Sequence, residues 1–147
     1  MYTSAHCQKS ALLVILFTGR DSSDEEYEHM LGAWSQLYRE AQGRPTIGVV
    51  VIEPGHAAPN AGWRRRIAAV HRAQKAPRRI ALVTDNPLIR AVITAVDWMT
   101  PPGPHQHTSA FGTFDDAVRT LEAQEGRPLD RLRALYQEAR EAARGVA

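Results

Sequence analysis

Thr46-Ile47-Gly48-Val49-Val50-Val51-Ile52 is the stretch on which the fold turns. It is almost wholly apolar and β-branched, and Pro45 and Pro54-Gly55 bound it. A run so short and so continuous predicts a strand covered on both faces, as in a parallel sheet. Glu53 closes it with a carboxylate, and the loop Pro54-Gly55-His56-Ala57-Ala58-Pro59-Asn60 follows. A basic helix is then expected from Ala61 to Gln74 or Lys75, with Asn60 as N-cap because its side chain can accept from a free first-turn N–H. In open α/β sheets the loops beyond the carboxyl ends of the strands carry the functional sites. This loop is therefore where function is sought first.

The same logic extends outward. Ala11-Leu12-Leu13-Val14-Ile15-Leu16-Phe17 is a second continuous apolar run, Arg79 to Thr84 a third strand, and Thr108 to Gly112 a short fourth. Ser22 with Glu25, or Ser23 with Glu26, makes a capping box that opens a helix. That helix carries Tyr27, Met30, Leu31, Trp34, Leu37, Tyr38 and Ala41 on one face and stops at Gly43. Asn86-Pro87 starts another helix, with Leu88, Ile89, Val92, Ile93 and Val96 as its stripe, extended by Trp98 and Met99. Three prolines and a glycine between Thr100 and His107 exclude regular structure there. Thr113 caps a helix that ends at Gly126, and Pro128 opens a last one over residues 128–144 with the stripe Leu129, Leu132, Leu135 or Tyr136, and Ala139.

This alternation predicts an α/β fold of order β-α-β-α-β-α-β-α, with a mostly parallel four-stranded sheet and an extra C-terminal helix. Residues 1–10 read as a flexible lead-in, 11–125 as the domain and 126–147 as the added helix. An amphipathic stripe must bury itself, so that helix either packs on its own domain or meets its counterpart in a homodimer.

Composition narrows the function classes. The 147 residues suffice for one core and no second ordinary domain. A net charge of +2 does not by itself make a nucleic-acid binder. Cys7 is the only cysteine, which excludes an internal disulfide and a cysteine-based zinc site and fits a reducing cytoplasm. The run 11–17 is too short to span a bilayer and lacks the flanks of a signal peptide. No nucleophile elbow, Walker-type glycine loop or Rossmann glycine fingerprint is present.

Several pieces taken together resemble a known family. They are Leu16-Phe17-Thr18-Gly19 before an acidic helix, Val49-Val50-Val51-Ile52 before Trp63-Arg64-Arg65-Arg66-Ile67-Ala68, Ile80 to Asp85 followed by Pro87-Leu88-Ile89-Arg90, and Ala110-Phe111 shortly before Asp115-Asp116-Ala117. In this order they resemble the SpoIIAA-like branch of the STAS-like fold, the sulfate-transporter and anti-sigma-factor-antagonist domains and their bacterial relatives, over about residues 11–121. The resemblance implies a small non-enzymatic, cytoplasmic regulatory domain that acts by binding a protein partner, in some members under control of serine phosphorylation at the start of the helix after the second strand. Here that region reads Ala58-Pro59-Asn60-Ala61-Gly62, without Ser or Thr, so that switch is not expected at this corner.

The expected partner- or anion-binding surface joins Glu53, His56, Asn60, Arg64 and Arg65 of the 54–66 loop–helix corner to the rim residues Thr84, Asp85 and Arg90. The alternatives are a small-ligand or anion-binding domain using the same corner, and a small enzyme. No catalytic residue, cofactor or metal is assigned. Arg64, Arg65, Arg66, Arg72, Lys75, Arg78 and Arg79 form a run without acids. Such a run attracts phosphates, nucleic acid or an acidic protein face, or it is a solvated face paired with acids such as Asp24 to Glu28. Nucleic acid is not the expected partner, because neither aromatic interleaving nor a helix-turn-helix pattern accompanies the run. Asp21, Glu53, Thr84 and Asp85 fall at strand ends as in phospho-acceptor receiver domains, but neither Lys9 nor Lys75 can supply the lysine those domains need. His56, His105 and His107 could bind zinc only if their loops met.

Overall fold

The computed structural model describes residues 1–91, 103 and 105–145. In chain order the elements are β1 (Tyr2–Cys7), β2 (Leu12–Phe17), α1 (Asp24–Ala41), β3 (Thr46–Ile52), α2 (Ala61–Arg72), β4 (Arg78–Val83), β5 (Gln106–Phe111), α3 (Phe114–Glu125) and α4 (Asp130–Gly145). Residues 87–91 are helical, as the Asn86-Pro87 start predicts. The rest of that stripe, Val92, Ile93 and Val96 with Trp98 and Met99, lies outside the described residues.

The strands form one five-stranded mixed sheet in the order β1-β2-β3-β4-β5, parallel except for β1, which runs antiparallel to β2. Each parallel connection steps one strand in the same direction. Right-handed crossovers then put the helices of successive connections on one face. Accordingly α1 and α2 share a core with Leu13, Ile15, Phe17, Ile52 and Leu82. The opposite face, built from Leu12, Val14, Leu16, Ile47, Val49, Val51, Ala81 and Val83, is covered by α3 and α4. Alternate residues of β2 thus serve two different cores, which is why its sequence is apolar without a break.

Residues 2–7 correct the expectation of a flexible lead-in and of four strands. They form β1, paired from Tyr2↔Phe17 to Cys7↔Leu12. The strand is at an edge and half exposed, so its polar residues are no obstacle, while Ala5 and Cys7 pack toward the core under α4. Thr3 Oγ1 donates to the Ala139 carbonyl of α4 at 3.0 Å. The hairpin back to β2 turns through Ala11 at φ 53°, a left-handed position that Ala rarely takes, so the usual Gly or Asn turn signal is missing.

The C-terminal helix packs on its own domain, across β1 and β2, with Leu132, Leu135, Ala139 and Ala143 buried. Its stripe is therefore buried within the chain. The junction that folds it back is held by one carboxylate. Gly126 takes a left-handed φ of 67° at the end of α3. Glu122 then accepts from the Leu129 N–H at 2.8 Å and from both Arg133 Nη atoms at 2.9 and 2.8 Å. The Arg133 guanidinium and the Leu129 amide hold the Glu122 carboxyl down at about 2, from 4.5. A depressed carboxylate stabilises above its unfolded pKa, and that contribution is lost as pH falls through the folded one. Glu122→Gln is therefore expected to lower the melting temperature at pH 7. The gap to wild type should close as pH drops from about 4.5 toward 2. A gap independent of pH over that window would refute the carboxylate's role.

Gly48 explains the one gap in the β-branched run of β3. A Cβ there would lie 2.0 Å from Cη2 of Trp34, whose indole from α1 lies directly over the strand. The Trp34 side chain is 2 % exposed, so it has nowhere to retreat. Gly48→Val should raise β-propensity yet destabilise, by about 1–3 kcal/mol or more, because overpacking a filled core strains both elements. Denaturant melting checks this, and a neutral or stabilising Val would mean that the indole can move.

Candidate functional site

The parallel strands end on one rim, where the chain continues as Thr18, Glu53, Thr84 and Gly112. All the residues expected to make a surface lie on this side of the molecule, yet they play different parts. Glu53, Arg65 and Asp85 are exposed, and their side chains carry no hydrogen bond or ion pair among the described residues. Asn60 is the N-cap of α2, its Oδ1 accepting from the Trp63 N–H at 3.0 Å. Arg64 Nη1 donates to the Pro59 carbonyl at 2.8 Å. Thr84 is buried. Its Oγ1 accepts from the Asn86 N–H at 3.1 Å, and its carbonyl accepts from Arg90 Nε and Nη2 at 3.1 and 2.7 Å. Thr84 and Arg90 therefore brace the start of the helix that follows β4.

His56 is also buried, at 3 % exposure. Its Nδ1 lies 2.9 Å from the Ala57 carbonyl oxygen and its Nε2 lies 3.0 Å from Ser22 Oγ. The Ala57 N–H donates to the Arg20 carbonyl at 2.7 Å. Together these bonds tie the loop after β2 to the loop after β3. The Ser22–His56 pair was not foreseeable, since the residues stand 34 positions apart and no local motif links them.

The arginine run is mostly engaged. Arg66 makes a two-pronged pair with Glu28, one arm at 2.9 Å, and lies 4.5 Å over the Trp63 ring. Its guanidinium holds the Glu28 carboxyl below the usual range. Trp63 Nε1 donates to Asp24 at 2.7 Å. Arg79 pairs with Glu125 at 2.9 Å. Arg78 is buried and donates to the His71 and Gln74 carbonyls at the end of α2, at 2.7 and 3.1 Å. Arg65, Arg72 and Lys75 remain exposed, with no ion pair among the described residues. The pairing of α2 with acids of α1 is thus realised at Arg66 and Glu28.

His105 and His107 lie at the opposite edge of the sheet, beside the N-terminal ends of β3 and β4, in a cleft shared with Arg78, Arg79 and Glu125. A strand of this length separates them from His56 by about 20 Å, at roughly 3.3 Å per residue. The three imidazoles do not converge. Among the described residues no group of three His, Cys, Asp or Glu side chains could hold a metal. No helix of the described residues is long and apolar enough to cross a membrane.

The sheet order bears on what the rim can do. Ligand crevices in open α/β sheets form where successive connections diverge to opposite faces. From β2 to β5 the order advances in a single direction, so the parallel part of this sheet contains no such point. No family model, curated protein or solved structure matches the chain.

Proposed function

We propose that this chain is a STAS-like, SpoIIAA-like domain that acts in the cytoplasm as a regulatory module by binding a protein partner. The contact surface is the 54–66 loop–helix corner with the adjoining rim, centred on Glu53, Arg65 and Asp85. The observation that carries this reading is the unidirectional strand order, which offers no switch-point crevice, beside a rim on which exposed Glu53, Arg65 and Asp85 carry no ion pair among the described residues. Charges in that state suit a complementary protein face more than a small molecule. The β-α alternation from β2 onward supports the family reading, and the single cysteine supports a reducing compartment. The anion-binding alternative is disfavoured because Arg64 already serves the Pro59 carbonyl and Arg90 the Thr84 carbonyl.

A photo-crosslinking residue in place of Arg65 or Asp85 is expected to capture one defined protein from the native host. The same residue in place of the exposed Gln137 on α4, across the sheet, should not. Equal capture at all three positions, or at none, would sink the reading.

A further inference from the structure

The bonds at His56 fix its chemistry. A carbonyl oxygen only accepts, so the 2.9 Å contact between Nδ1 and the Ala57 carbonyl places the ring proton on Nδ1. Nε2 of the neutral ring is then a bare acceptor, and Ser22 Oγ, 3.0 Å away, donates to it. Burial pushes the imidazole below its ordinary value, so it is neutral at pH 7. The ring itself is covered, whereas Ser22 is only half-buried. The hydroxyl is the member of the pair that a reactant meets first.

We propose that Ser22 is a nucleophilic serine, with His56 as its base and the Ala57 carbonyl as the orienting group, that accepts the acyl group of an uncharged activated ester. A nucleophile, a base within hydrogen-bond reach and a third group that fixes the base are the elements such chemistry needs. The site also lies at the carboxyl rim of the parallel strands. The neighbours select the substrate class. Asp21, Asp24 and Glu25 are exposed beside Ser22. Against them stand exposed Arg20 and the Met1 ammonium, which donates to the Thr18 and Asp21 carbonyls and is itself paired with Glu26. The surroundings of Ser22 therefore stay net negative, which disfavours polyanions and leaves neutral acyl esters.

In the forward step Ser22 Oγ bonds to the ester carbonyl carbon while its proton passes to His56 Nε2. The carbon–oxygen bond to the leaving alcohol then breaks, and that alcohol takes the proton from Nε2. The product is an acyl-serine ester and a free alcohol. Water, deprotonated by the same Nε2, then bonds to the acyl carbon. The bond from that carbon to Ser22 Oγ breaks, Oγ takes the proton back from Nε2, and the carboxylic acid leaves. Water is the only further reactant, and no oxidant or reductant is needed.

The test uses the full chain with p-nitrophenyl acetate, following p-nitrophenol release and mapping the acetyl group by mass spectrometry. Acetylation is expected at Ser22, abolished in Ser22→Ala and slowed about a hundredfold or more in His56→Gln, the usual contribution of a general base. Melting curves of both variants establish that they are folded. The wild-type pH profile provides a readout that needs no variant. With His56 as base, the rate should be level at neutral pH and fall only below the ordinary imidazole range, because burial lowers the point at which this ring protonates. Acetate elsewhere than Ser22, an unchanged rate in folded His56→Gln, or a rate that climbs with hydroxide without a plateau would each overturn the assignment. None of these outcomes touches the crosslinking experiment, so the two readings fail separately.

Discussion

A chain cut after Gly126 is expected not to fold. The cut removes Leu129, Leu132, Leu135, Ala139 and Ala143, all buried, the three leucines to 2 % exposure or less. Full burial of a leucine is worth about 1.5–3 kcal/mol, so these three alone approach the stability of a small domain, about 5–15 kcal/mol. The loss is double-sided, because Leu12, Val14 and Leu16 of β2 would face water where α4 now covers them. The Thr3 bond to the Ala139 carbonyl goes as well, which frees the edge strand β1. The truncated chain should show no cooperative melt and should aggregate through its uncovered sheet. Circular dichroism with light scattering reads both. Leu132→Ala and Leu135→Ala in the full chain give graded versions, each expected to cost about 2–5 kcal/mol. A truncated monomer that melts cooperatively near the full-length temperature would show that α4 is an accessory.

The second large effect is acid sensitivity set by His71. This imidazole lies in the last turn of α2, T-shaped against the Trp34 ring with centroids 4.8 Å apart, and its Nδ1 shares a 2.7 Å hydrogen bond with Tyr38 Oη. Burial first, and the Arg78 guanidinium second, push it down to about 3 from 6.5. Burial also raises the Tyr38 phenol, so it stays protonated throughout. The unfolded chain binds a proton at His71 below about 6.5, while the folded chain does not until about 3. Stability must therefore fall as pH drops through that window, at up to about 1.4 kcal/mol per pH unit, and stay flat above it. At pH 4.5 the loss is roughly 2–3 kcal/mol. His56, also pushed down by burial, adds in the same direction. Urea melts at pH 7.5, 6.5, 5.5 and 4.5 should show a progressive loss that begins below 6.5. His71→Gln, which cannot titrate, should be less stable at pH 7 but show a shallower slope. Equal slopes in the two proteins would place the acid sensitivity elsewhere.

Much of the fold was written locally. The continuous runs at 12–17 and 46–52, the Ser23–Glu26 capping box and the Asn60 and Thr113 caps are all realised as expected. Each depends only on neighbours in sequence: apolar continuity for a two-sided strand, or a side-chain oxygen within reach of a first-turn N–H. The α1 stripe from Tyr27 to Ala41 is buried for the same reason. The missed strand β1 has no such signature. Its pairing and its cover come from β2 and α4, the latter more than a hundred residues away.

The candidate site divides along the same line. That Glu53, Arg65 and Asp85 stand on one side of the sheet followed from strand ends, and exposure at a rim needs no tertiary knowledge. Which residues are used up inside the molecule could not be read. Thr84 is buried under Arg90, Arg66 is held by Glu28, and the two loops meet at His56 and Ser22, through contacts that exist only once helices and strands are packed. Apart from β1, the sequence alone determined which segments are strands and helices and which loops lie at the carboxyl rim, because periodicity and capping are short-range. Only the tertiary structure decided the order of the five strands, the burial of α4 against β1 and β2, and the joining of a hydroxyl to an imidazole across 34 residues, because burial and hydrogen bonding between distant segments are set by which faces meet.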